Sequence, residues 1–163
     1  KEIYKKENFH AIILGSDQGR NVYYKKLIVS TERHRIKNKV SFIKNCRDMP
    51  SAYKLANVVV SSSIEPEAFG RVAVEAQAME KPIIASNIGG SKETILNEKS
   101  GVLFKSEDSK NLAKELNKFM EQDKEELNLM GKEGRKNVSK KFNVDQMCQT
   151  TFTEYMKLLK KIK

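Results

Sequence analysis

Two textures alternate along most of this chain. Short continuous apolar runs of strand length are separated by segments whose apolar residues recur at helical spacing. Residues 10–15 (HAIILG) read as a buried strand, followed by a helix near 21–35. Residues 40–44 are a second strand and 50–56 a short helix; 58–62 form a third strand, 69–80 a helix and 82–86 a fourth strand. After a Gly-Gly turn at 89–90 come a short helix near 92–97 and a last strand at 101–104. Uninterrupted apolar strands between helices predict an α/β fold, a Rossmann-like parallel sheet with helices on both faces. Such a sheet binds ligands beyond the carboxyl ends of its strands. The loops at 15–20, 44–49, 62–70 and 87–91 are therefore the place to look for chemistry.

From residue 107 the pattern is helical only, so the fold is expected to end in C-terminal helices. Leu112, Leu116, Phe119 and Met120 fall at i, i+4, i+7 and i+8 and give one apolar face. A second helix is predicted from about 124 to 140. In the last helix Cys148, Phe152, Tyr155, Leu159 and Ile162 share one stripe, with Lys157, Lys160, Lys161 and Lys163 off it. The favoured reading is a helix packed on the sheet; a basic amphipathic helix of this kind also suits an anionic membrane surface. No internal repeat or low-complexity segment is present.

Composition narrows the class without naming a function. The chain has 163 residues, 39% hydrophobic and 32% charged, as in a soluble globular domain. No stretch approaches the ~18 to 20 consecutive apolar residues of a spanning helix, and no signal-peptide pattern opens the sequence. The first residue is Lys1 rather than Met, which reads as a fragment or a processed chain. The net charge is +10, distributed as +8 over residues 1–54, −3 over 55–123 and +5 over 124–163. A basic balance suggests polyanionic partners, although most of the basic residues are Lys spread through predicted helices, as on solvated faces. A nucleic-acid-binding module is disfavoured: no aromatic residues interleave with the basic ones, and neither a recognition helix nor zinc spacing is evident. Cys46 and Cys148 lie far apart and read as reduced thiols rather than a disulfide or a metal site.

The chemistry concentrates in residues 61–93 (SSSIEPEAFGRVAVEAQAMEKPIIASNIGGSKE). Residues 71–79 are small and apolar nearly all round, which predicts a helix buried between the sheet and its neighbours. Glu75 sits inside it; a Glu on a helix is ordinarily solvated, but a buried carboxylate needs donors, which a pair of ligand hydroxyls would supply. Glu67 follows Pro66, which disfavours helix in the residue before it, so Glu67 belongs to the strand-to-helix loop. Between them Phe69 and Gly70 form the helix start, where Gly70 permits close backbone approach and free amides attract phosphate. A carboxylate at the mouth, an anion-binding terminus and a second carboxylate further in match the sugar, pyrophosphate and ribose of a nucleoside diphosphate sugar.

These residues resemble the donor-binding half of retaining glycosyltransferases of the GT-B fold, family 4. The mark is a Glu, seven residues and a second Glu, with Phe-Gly shortly after the first: Glu67-Ala-Phe69-Gly70-Arg71-Val-Ala-Val-Glu75. The following PIIASNIGGSKETI is similar to the family's strand, diglycine turn and Glu-bearing helix, with Gly89, Gly90 and Glu93 in place. The GSDQGR run at 15–20, with Tyr24 and Leu27, the segment 47–63 and the tail from Glu107 to Tyr155 fit as well, so the resemblance spans nearly the whole chain. It implies that Glu67 faces the donor sugar as the catalytic residue and that Glu75 holds the ribose hydroxyls. Backbone amides around Phe69, Gly70 and Arg71 would meet the diphosphate, with Arg71 equally suited to a structural salt bridge. The base would lie near Lys44–Arg47, with Gly15, Ser16 and Arg20 lining the same crevice. His10 and His34 match nothing catalytic.

The implied function is retaining transfer of a sugar from a nucleotide-sugar donor to a glycan or lipid-linked acceptor, as in polysaccharide or lipopolysaccharide biosynthesis. No metal or other cofactor is expected, because the sequence has neither a DxD nor a His cluster. The resemblance places residues 1–163 as the donor domain, lacking its first strand and the cationic Gly-Arg loop, and without the N-terminal acceptor domain; the fragment alone is then expected to be inactive. If the family's strand order holds, the missing strand is a central one, and the sheet either has a gap or closes over it between two strands. Where the family carries a Gly after the buried helix this chain has Glu80, so the common left-handed Gly cap is expected to be missing. The remaining readings are a non-catalytic nucleotide-sugar-binding domain and another GT-B enzyme, an epimerase or a phosphorylase, against which the Phe-Gly and Glu pair argues. The expected location is cytoplasmic, the basic flanks being compatible with peripheral contact at the inner face of an anionic membrane.

Overall fold

The computed structural model of the chain describes residues 9–17, 19 and 21–161. They fall into two compact units, 1–52 and 53–163. The strands form two parallel sheets, β1-β2 and β3-β4-β5. In the first unit β1 (Ala11–Leu14) pairs with β2 (Val40–Ile43) in the register Ala11↔Val40 to Leu14↔Ile43. Helix α1 (Asn21–Arg33) and a single 3-10 turn (Lys37–Lys39) connect them. Tyr24 of α1 meets Phe42 of β2 edge-on, with ring centroids 5.6 Å apart. Ile12, Ile13 and Ile43 are exposed, so the buried strand predicted at 10–15 forms as a strand but is not buried. A two-stranded sheet with one crossover helix does not hide both faces.

Helix α2 (Met49–Leu55) leads into the second unit, which holds the main core. Strand β4 (Ile83–Ser86) is central, flanked by β3 (Val59–Ser61) and β5 (Gly101–Phe104). All four residues of β4 are buried, as its unbroken apolar sequence requires of a strand covered on both faces. Ile84, Val102, Phe104 and Phe119 form the core cluster, packed by Val58, Leu112, Leu116, Leu127 and Met130. The helices are α3 (Arg71–Ala78), α4 (Ser91–Thr94), α5 (Ser109–Glu121), α6 (Lys124–Lys141) and α7 (Val144–Lys161). Asp108 caps α5 by accepting from the Asn111 amide at 2.9 Å, and Asp123 caps α6 by accepting from the Glu126 amide at 2.7 Å.

Two expectations need correction. Helix α3 is half-surface: Ala73, Ala76 and Gln77 are buried, but Arg71, Val72 and Ala78 are exposed. One face of an eight-residue helix meets the sheet and α6, and small residues on the other face need no cover. Its C-terminus has no Gly cap, and Glu80 itself takes the left-handed position, at φ 57°. The Glu80 amide donates to Gln77 O at 3.0 Å and the Lys81 amide to Ala76 O at 2.9 Å, the paired bonds of a Schellman motif. Helix α7, expected to pack on the sheet, is exposed at residues 144–160, including Phe152, Tyr155 and Leu159. Its stripe is real, but among the described residues nothing covers it; Ile162 lies outside them.

Candidate functional site

The loop from Ser62 to Gly70 joins β3 to α3 and carries Glu67 and Phe69. It is laid flat on the turn after β4. The Gly90 amide donates to Glu67 O at 2.8 Å. A Cβ added at Gly89 would stand 2.4 Å from Glu67 O, and one at Gly90 would stand 2.5 Å from Phe69 O. Gly89 also has φ 50°. The diglycine is therefore required because two backbones touch, and the touching brings Gly89 and Gly90 beside Glu67 and Phe69. Gly70, buried and at φ 77°, is the N-cap residue of α3 and takes a left-handed conformation that L side chains adopt only under strain. The Ala73 amide donates to Gly70 O at 3.0 Å, and the Arg71 and Val72 amides lie ahead of it at the open N-terminus of the helix.

The two carboxylates have different surroundings. Glu67 is exposed and accepts from Ser63 Oγ, while Ser63 O in turn accepts from Ser106 Oγ at 3.4 Å. Glu75 is held on both oxygens. Arg71 donates to its Oε1 from Nε at 3.2 Å and from Nη2 at 2.9 Å, and Tyr53 Oη donates to its Oε2 at 2.9 Å. The donors expected from a ligand are thus supplied within the chain, and Arg71 makes the salt bridge that was its alternative role. Tyr53 is buried, and burial together with the hydrogen bond to the Glu75 carboxylate pushes its phenol well above the ordinary tyrosine range. The phenol remains a donor throughout the neutral range.

Helix α3 is fixed from behind by α6. A Cβ at Gly131 would lie 2.0 Å from Glu80 O, and one at Gly134 would lie 3.0 Å from Gln77 Cγ. Gln77 and Asn137 both donate to Thr94 O, each at 3.0 Å, so α3, α4 and α6 share one buried acceptor. Phe142, which follows α6, meets Phe69 edge-on at 5.6 Å between centroids. The loop bearing Phe69 is thus held from two sides, by the diglycine turn and by the end of α6.

The other predicted site residues lie in the first unit. The Gly15 amide donates to Ile43 O at 3.0 Å, closing the end of β1 onto β2. Ser16 follows in the same loop, and Lys44 Nζ stands 5.4 Å from the centre of the Tyr24 ring. Arg20 lies outside the described residues. His10 and His34 make local bonds, to Ser41 Oγ at 2.9 Å and to Ser30 O at 2.8 Å. Cys46 and Cys148 are free thiols. Among the described residues no group of His, Cys, Asp and Glu could hold a metal, and no helix is long and apolar enough to cross a membrane. Sequence reasoning missed Tyr53 and Ser63: nothing in their spacing links Tyr53 to a carboxylate 22 residues on, and Ser63 is one of three consecutive serines.

Known proteins share this fold. A relative in Staphylococcus aureus, the capsular polysaccharide biosynthesis glycosyltransferase CapM, is 33% identical over 121 residues, which are 74% of this chain and 31% of that protein. Spore coat protein SA of Bacillus subtilis (strain 168) is 32% identical over 119 residues, 72% of this chain and 31% of that protein. The chain thus spans about a third of the length of the curated relatives it matches. A glycosyltransferase from Rickettsia africae ESF-5 superposes with a TM-score of 0.90 at 27% identity, over 98% of this chain and 42% of that one. Anabaena Alr3699/HepE in complex with UDP superposes with a TM-score of 0.85 at 28% identity, over 91% of this chain and 41% of that one. The parallel sheets flanked by helices, ending in C-terminal helices, match these GT-B glycosyltransferase structures. The model of the family described as glycosyl transferases group 1 matches residues 1–137, and the chain belongs to that family.

Proposed function

We propose that the chain is the donor-binding domain of a glycosyltransferase that takes a sugar from a nucleoside diphosphate sugar, with retention of configuration, and passes it to a glycan or lipid-linked acceptor. The observation that carries the reading is the loop 66–70 pinned on the diglycine turn, with one carboxylate in the loop and a second, Glu75, held in α3. Support for the donor class comes from Anabaena Alr3699/HepE, which was solved with UDP and with UDP-glucose. Glu67 is exposed at the mouth, where the sugar would lie, and Glu75 would accept from the ribose hydroxyls. The amides at the start of α3 would stabilise the diphosphate as it departs, by preorganised donors rather than a metal.

The acceptor and setting follow the relatives' chemistry. A capsular polysaccharide enzyme among them favours a polysaccharide product, made in the cytoplasm, with the basic flanks near an anionic membrane face. Partners are then the donor, the acceptor and the remainder of the enzyme. The test is transfer in the whole enzyme, followed by the anomeric proton coupling of the product in NMR. Retention together with loss of turnover in Glu67→Gln supports the reading. Inversion, or undiminished turnover in Glu67→Gln, refutes it.

A further inference from the structure

The partners of Glu75 are unequal, and the inequality points to a further residue of the site. A carboxylate offers about four lone-pair positions. Arg71 occupies two, both on Oε1, and Tyr53 occupies one on Oε2. One is left. A ligand presenting two neighbouring hydroxyls needs two, so one existing bond must be given up when it binds. The Arg71 side chain is 84% exposed, and its guanidinium is readily hydrated when released. Tyr53 is 6% exposed, and a buried phenol without its acceptor would carry the full penalty of an unmade hydrogen bond. Arg71 is therefore the exchangeable partner and Tyr53 the fixed one.

We propose that Tyr53 is a positioning residue for diol recognition: its buried hydroxyl locks the Glu75 carboxylate so that the ligand replaces Arg71 and finds an acceptor already oriented. The proposal rests on the donor-site reading above and adds to it the residue that makes Glu75 selective for a ribose over a deoxyribose. The raised pKa of the phenol agrees with it, since the hydroxyl keeps its proton, and so remains a donor, throughout the neutral range. A tyrosine that only fills the core would affect every ligand equally, or none.

Calorimetric titration of the chain with UDP, GDP and ADP, each beside its 2′-deoxy counterpart, separates the two roles. Tyr53→Phe keeps the ring and its packing and removes only the hydroxyl. The expected result is a loss of about tenfold in affinity for the preferred ribonucleotide, one hydrogen bond to a charged group. The deoxy counterpart should change by about twofold or less. In a Glu75→Gln background the same substitution should add no further loss, because Tyr53 acts through Glu75. Equal weakening of both ligands, full additivity with Glu75→Gln, or unchanged ribonucleotide affinity each overturns the proposal while leaving the donor site standing. If the unsubstituted chain binds none of the six nucleotides, the donor-site reading fails and this proposal falls with it.

Discussion

Replacing Gly90 by Ala tests the claim that the diglycine is there for contact between backbones. Gly90 has φ −62° and ψ −18°, a conformation any residue adopts. On backbone grounds alone Gly90→Ala should stabilise by about 0.4–1 kcal/mol, by restricting the unfolded chain. The surroundings reverse the sign. The new Cβ would lie 2.5 Å from Phe69 O, 2.6 Å from Phe69 C and 2.7 Å from Phe69 Cα, whereas real Cβ atoms essentially never approach within 3.0 Å. The loop must therefore retreat by about 0.5 Å, and overpacking of this kind costs about 1–3 kcal/mol. The same retreat lengthens the bond from the Gly90 amide to Glu67 O, now 2.8 Å. The net expectation is a loss of about 1–2 kcal/mol, read by urea denaturation at constant slope or as a fall in melting temperature of about 3–8 °C. Because the displaced loop carries Glu67 and Phe69, nucleotide affinity should fall as well. A Gly90→Ala protein as stable as the parent, or more stable, would refute the reasoning.

Further expectations follow from other backbone and side-chain positions. Glu80→Gly should stabilise by about 1 kcal/mol, since Glu80 holds the left-handed position of the Schellman motif at φ 57°; a destabilised variant by denaturant titration would contradict that. Asp123→Ala should cost about 1 kcal/mol by removing the cap on the Glu126 amide, and an unchanged denaturation midpoint would count against it. The Tyr53 phenol has a raised folded-state pKa, so its contribution to stability is complete below the unfolded value near 10 and is lost as pH rises through the folded value. Above about pH 10 the stability of the parent should therefore decline more steeply than that of Tyr53→Phe, by up to about 1.4 kcal/mol per pH unit. Parallel stability curves over that range would show that the phenol is not protected.

What the sequence revealed and what it concealed divide along physical lines. Strand β5 and the boundaries of α6 were legible because an apolar run bounded by glycine, and a helical period with an Asp in front of it, are local signals. The placement of Glu67 in a loop and Glu75 in a helix followed from Pro66, again a local effect. Contacts between distant segments were not legible. That Gly89 and Gly90 are fixed by the backbone of residues 66–69, and that Gly131 and Gly134 let α6 approach the end of α3, depends on partners tens of residues away. Tyr53 on Glu75 is of the same kind. Burial was misjudged for β1, α3 and α7 because an apolar pattern states which face wants cover, not whether an element arrives to provide it. The left-handed cap on Glu80 shows a backbone motif formed without the usual Gly, by a residue that carries a modest strain.

The central claim is a nucleotide site on the loop and helix that carry Glu67 and Glu75, and isothermal titration of the chain with UDP, GDP and ADP tests it most directly. The account predicts saturable one-site binding of one of the three, weakened by about tenfold or more in Glu75→Ala, which removes a charged acceptor. Absence of binding by all three, or an affinity identical in Glu75→Ala, would contradict it.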